Sequence, residues 1–159
     1  MRAIVIAGFF SFLIFLGSCG DSPKTDTQSA QKNDVEKKDP NQYDPHRGEG
    51  KFTAENVKVG ATLDVAMAKA GAEVREVKCA ACHSLKDDRI VGPGWQGVTS
   101  RRKPEWLMNF ITNPDPMISK DPELQVQLEV CLMRMPNQNL SDDEARQVFE
   151  FMRQNDGVK

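Results

Sequence analysis

The stretch Cys79-Ala-Ala-Cys-His83 constrains this chain more than any other. Two thiols spaced by two residues point the same way when they sit at the end of a helix. The imidazole of His83 follows at once. This geometry serves a redox dithiol, a metal knuckle, a disulfide or an anchor for a larger group. The choice depends on what the remainder of the 159 residues can supply.

From about Lys51 the composition is that of a folded domain, and its apolar spacing is helical. Leu63, Ala66, Met67, Ala70, Val74 and Val77 recur at three- and four-residue steps, predicting a helix from Thr62 or Asp64 to about Cys79. Gly71 weakens that helix by about 1 kcal/mol relative to alanine unless close packing requires it. The Gly- and Pro-dense VGPGWQGV, residues 91–98, must be loop. Pro104 opens a helix carrying Trp106, Leu107, Phe110 and Ile111, and Asn113-Pro114 stops it. A further helix is expected from Asp121 to about Met133, with Leu124, Leu128 and Cys131 or Leu132 inward. Ser141 and Glu144 form a capping box before the stripe Ala145, Val148, Phe149 and Met152. No stretch alternates convincingly, so the domain is all-α with long loops.

The N-terminus differs sharply. Arg2 precedes an apolar run from Ala3 to Leu16, too short for the ~20 residues of a membrane-spanning helix. Residues 1–18 therefore read as an export signal. Leu16-Gly-Ser-Cys19 resembles the lipobox of bacterial lipoproteins, which implies that Cys19 becomes a lipidated first residue and anchors the protein to a membrane. From Gly20 to about Gly50 the chain is polar, with Val35 and Tyr43 as its sizeable apolar groups. It reads as a disordered tether, and His46 within it as solvated. The expected boundaries are thus 1–18 signal, 19–50 lipidated cysteine and tether, and 51–159 folded domain.

These surroundings weigh on the cysteine pair. A thioredoxin-like dithiol needs a βαβ context, which a helical chain lacks. Structural zinc needs four ligands, and Cys79, Cys82 and His83 supply three at most; with Cys131 as a fourth, adjacent Cys82 and His83 would both have to ligate at awkward angles. Four cysteines scattered over this length are not a disulfide framework. Covalent haem attachment uses all three residues in their order: both thiols add to the macrocycle and the next residue turns its imidazole to the iron. Export agrees with it, since such attachment takes place outside the cytoplasm.

With CAACH ending a helix, VGPGW in a loop, a middle helix, then Met135-Pro136 and a final helix, residues 56–155 resemble class I cytochrome c. The resemblance implies an all-α fold wrapped around one covalently bound haem c, with Cys79 and Cys82 in thioether bonds and His83 and Met135 as axial ligands of its iron. Met133 is the first alternative to Met135. Met117 is expected in a loop, and Met67, Met108 and Met152 on apolar stripes read as core filling. By the same resemblance the Pro93 carbonyl accepts the ring N–H of His83, and Trp95, Arg101, Arg102 and Trp106 reach the haem propionates. Cys131 is expected to pack as a small apolar group.

The function implied is one-electron transfer between redox proteins, a donor and an acceptor that dock transiently on the periplasmic side of the bacterial envelope. Lys78 and Lys86 would steer docking. The tether would give the domain a reach of about 30 Å if it behaves as a flexible coil. Residues 50–103 hold ten Lys/Arg against six Asp/Glu, and residues 104–159 five against ten. That is a dipole suited to orienting on a partner. A net charge of −2 and a pI of about 5.7 give no sign of nucleic acid, and no small-molecule substrate or catalytic residue is expected. One CxxCH excludes a dihaem peroxidase within this chain. A fixed subunit of an oxidase or reductase, or a haem enzyme or sensor with an open sixth position, remains as the other reading.

Overall fold

The structure, a computed structural model, describes residues 42–159. The expected signal sequence, Cys19 and the tether up to residue 41 lie outside the described residues. The described chain forms α1 (Val65–Lys78), α2 (Val98–Arg101), α3 (Pro104–Thr112), α4 (Pro114–Lys120), α5 (Pro122–Cys131) and α6 (Asp142–Asn155). Among the described residues there is no strand, only one isolated bridge between His83 and Arg89. None of these helices is long and apolar enough to cross a membrane.

Local chemistry sets each helix start. The Asp64 carboxylate accepts from the Met67 amide at 2.9 Å and caps α1. α3, α4 and α5 each open on proline, whose missing N–H is an orphan at that position anyway. Asn113 therefore ends α3 while Pro114 starts α4 at once, where the sequence suggested only a stop. Met117, expected in a loop, is consequently helical and fully buried. Asp121 caps α5, accepting from the Glu123 amide at 2.9 Å and the Leu124 amide at 3.3 Å. At α6 the capping box closes in both directions, with Glu144 N to Ser141 Oγ at 3.1 Å and Ser141 N to Glu144 Oε2 at 2.8 Å.

The dominant packing is α1 against α6. A Cβ on Gly71 would stand 2.0 Å from the Gln147 carbonyl oxygen, so the two backbones approach as only glycine allows. Ala68 and Ala145 are fully buried at the same crossing. The expected apolar face of α1 is corrected by this contact. Met67 and Val77 point outward, Val77 with 85% of its surface exposed, because close approach selects small residues rather than large ones. The fully buried Glu150 pairs with Arg153 and Arg146, and accepts from the Asp64 amide at 2.8 Å. Arg153 reaches on to the Gly60 carbonyl at 2.8 Å, fastening the approach to α1 onto α6.

The ordered domain begins before Lys51. Tyr43 Oη donates to Asp121 Oδ2 at 2.7 Å, and the Asn109 side-chain amide bonds Arg47 O, Phe52 O and the Phe52 amide. Gly48 lies against Met117, where an added Cβ would meet its Cε at 2.3 Å. Residues 43–50, expected as tether, are therefore a strap held on α3–α5 by hydrogen bonds rather than by apolar bulk. His46 is exposed within it.

Candidate functional site

The end of α1 builds the site. The amides of Cys79 and Ala80 donate to the Arg75 carbonyl, and those of Cys82 and His83 to the Cys79 carbonyl, at 2.9–3.1 Å. This extra turn brings Cys79, Cys82 and His83 to one wall of a cleft. Loop 91–95 backs that wall. The Val91 and Gly92 amides donate to Cys82 O at 3.2 and 2.9 Å. His83 Nδ1 donates to the Pro93 carbonyl at 2.8 Å, which leaves Nε2 as the ring's free acceptor. A Cβ on Gly92 would lie 2.4 Å from His83 Cε1 and 2.9 Å from both ring nitrogens, so the ring rests directly on the loop backbone. Buried Trp95 flanks it, with ring centroids 5.7 Å apart.

Electrostatics favour neutral groups here. Burial holds the His83 imidazole below its ordinary value against the opposing Pro93 bond, and the Arg75 charge adds to the lowering. The neutral ring is the form that ligates a metal. Burial pushes the Cys79 thiol up to about 11, despite the opposing charges of Arg75 and Lys78. Cys79, Cys82 and Cys131 are free. Among the described residues no group of three or more His, Cys, Asp or Glu is placed to hold a bare metal ion.

The cleft is lined from α1, loop 91–95, α3, α5, the loop after α5 and α6, a span suited to a large ligand rather than an ion. Leu107, Ile111, Ile118, Leu128, Val148 and Met152 give it apolar walls. Met135, half-buried, and Met133, mostly exposed, both line it across the loop after α5. Met117 and Met108 are buried elsewhere, and Met67 is on the outer side of α1. Cys131, half-buried, lines the cleft as well. Trp95, Arg101, Arg102 and Trp106 are all at its wall, but both arginines hold protein partners. Arg102 pairs with Glu123 and lies 4.2 Å over the Trp106 ring, and Arg101 donates to the Gln96 carbonyl. Gly92 under the ring falls in the VGPGW loop, but two residues gave no signal in the sequence: Arg75 bonded to the His83 carbonyl, and Arg134 bonded to α4 beside Met135. A long-range arginine partner leaves no local pattern to read.

Two free thiols, an oriented imidazole and a deep apolar cleft in a helical fold define a protein that carries covalently bound haem c. The cytochrome c family profile matches residues 68–156, more than half of the chain, and the chain belongs to the cytochrome c family. It has the all-α class I fold, binds iron-containing haem c and is an electron-transfer protein. Its structure is similar to that of cytochrome c from Rhodothermus marinus, with 34% identity and a TM-score of 0.62 over 65% of this chain and 89% of that one. It is also similar to an engineered cytochrome c from Rhodothermus marinus, Rma TDE, with 33% identity and a TM-score of 0.61 over 65% and 90%. The same engineered protein bound to a carbene intermediate matches with a TM-score of 0.58 at 33% identity, over 65% and 89%. Comparison with curated protein sequences gives no match.

Proposed function

We propose that this chain is a lipid-anchored, monohaem electron carrier with His/Met ligation, moving single electrons between redox proteins of the bacterial envelope. The observation that carries the reading is the cleft itself. Both thiols, His83 and Met135 line this one cleft. When bound, haem c supplies an iron that exchanges one electron between ferric and ferrous states. The chain's own residues do the rest. Cys79 and Cys82 hold the macrocycle by thioether bonds. His83 presents Nε2, its ring fixed through Nδ1 by Pro93 and by the Gly92 backbone. The Met135 thioether, a soft ligand, favours the ferrous state. The apolar walls exclude water.

Visible spectroscopy of the oxidised protein tests the ligand set. The weak long-wavelength band of methionine-ligated ferric haem is expected in the parent and in Met133→Ala, and lost in Met135→Ala. A parent without the band, or a Met135→Ala variant that keeps it, refutes the assignment. Anchoring through Cys19, donor and acceptor docking, and a periplasmic location belong to the same proposal. Cys19→Ser in the full chain should move the protein from the membrane fraction to the soluble periplasmic fraction. A second reading, a fixed subunit of a larger redox complex, draws support from exposed Val126, Val130, Leu132 and Met133 on α5 and the loop after it. Co-purification of the native protein at a constant ratio to one partner would favour that reading.

A further inference from the structure

Arg75 grips the CAACH turn twice. Its main-chain carbonyl accepts from the Cys79 and Ala80 amides at 2.9 and 3.0 Å, and its Nη2 donates to the His83 carbonyl at 2.8 Å. Pro93 holds the His83 ring and Arg75 holds the His83 main chain, so the residue is fixed from both flanks. The Arg75 side chain is only 13% exposed. Its Nη1 pairs with Glu76 at 2.9 Å, but that carboxylate is 74% exposed and well screened by solvent. Its Nε is buried without a hydrogen-bond partner. A buried guanidinium with an unmet donor is costly where an apolar side chain would pack without penalty. Its position in the last turn of α1 suits a cation, but any surface lysine there would serve the helix equally.

What the arginine adds is a weakly compensated positive charge one hydrogen bond from the main chain of His83. Ferric haem carries one more positive charge than ferrous haem, and charges interact strongly where water is excluded. A fixed cation beside His83 therefore disfavours the oxidised state. We propose that Arg75 is a positioning residue for the His83 side of the haem and that its buried charge raises the reduction potential of the iron. This rests on His83 being the axial ligand.

The test is spectroelectrochemical titration of the intact holoprotein. Arg75→Met and Arg75→Gln should each shift the equilibrium about tenfold toward the ferric state, which is a fall of 59 mV for one electron. Arg75→Lys, which keeps the charge but not the fork, should stay within about twofold of the parent while melting at a lower temperature. A purely structural arginine predicts the reverse pattern: lower melting temperature in all three variants and no shift in potential in any. That result overturns the proposal. Glu76 is exposed, so Glu76→Gln folds in any case. Its charge is screened, so removing it should leave the potential within about twofold of the parent, and a rise as large as tenfold would show that Glu76 cancels Arg75 and counts against the role given to Arg75. Failure of the axial assignment looks different, because His83→Ala would then keep the parent's ferrous spectrum whatever Arg75 does.

Discussion

The two walls of the cleft are built on different principles. On the His83 wall, main-chain hydrogen bonds wind Cys79 to His83 into a continuation of α1, loop 91–95 supports the ring, and α1 is locked to α6 through Gly71. On the Met135 wall the chain leaves α5 through Leu132, in a left-handed conformation (φ 55°) and 87% exposed, and runs without regular structure to Ser141. Side chains hold that loop, chiefly Arg134, which reaches Asp115 Oδ1 at 2.7 Å, Asp115 O at 3.1 Å and Ser119 Oγ at 3.2 Å on α4. The His83 side is held by backbone and the Met135 side by surface arginine contacts. The lesson is that main-chain bonds hold the His83 side, while side-chain contacts of the loop hold the Met135 side.

The largest effect expected from this contrast is at Gly92. Gly92→Ala drives a Cβ into the His83 ring and should destabilise the holoprotein by about 1–3 kcal/mol. Pro136→Ala on the opposite wall is exposed and should cost no more than about 0.5 kcal/mol. Thermal melts followed in the haem absorption band compare the two, and equal costs would erase the distinction between the walls. An intermediate effect is expected at Arg134. Arg134→Ala removes exposed contacts together worth about 1 kcal/mol. Imidazole added to the ferric protein should compete with Met135 about fivefold more effectively, as read from the loss of the long-wavelength band. Unchanged imidazole affinity would show that the loop holds itself.

The smallest effect lies at Glu144, where the capping box and Lys78 at 3.1 Å join α6 to the end of α1. The bond from the Ser141 amide, aided by Lys78, holds this carboxyl below its ordinary value. Its contribution to stability is therefore fully present above the ordinary carboxylate pKa and is lost as pH falls through the lowered one. Glu144→Gln should flatten that acid limb of the melting-temperature profile and converge with the parent at the lowest pH. A constant offset across the whole range would mean that the charge plays no part.

Much of the His83 wall was legible in the sequence because covalent attachment requires its residues to be contiguous, and CAACH carries them all. The final helix was legible for a similar reason, its capping box and apolar stripe being local. The errors share a cause, namely reading burial from apolar bulk. α1 buries Ala68 and Gly71, not Met67 and Val77, because a close helix crossing needs small residues. The strap 43–50 looked like tether because its docking depends on the Tyr43 hydroxyl, the Asn109 amide and the slenderness of Gly48. Arg102 stacks on Trp106 at the cleft wall and pairs with Glu123, a partner 21 residues away that no motif announces.

Asp121 gathers three parts of the molecule onto one carboxylate: the Tyr43 hydroxyl of the strap at 2.7 Å, the Trp106 indole of the cleft wall at 3.4 Å, and the first amides of α5. In mechanical terms this is a cleat. A pull arriving along the backbone at Gln42 meets resistance at Tyr43 and is passed through Asp121 into the start of α5. The Trp106 indole at the cleft wall shares the same carboxylate oxygen and is coupled to that pull.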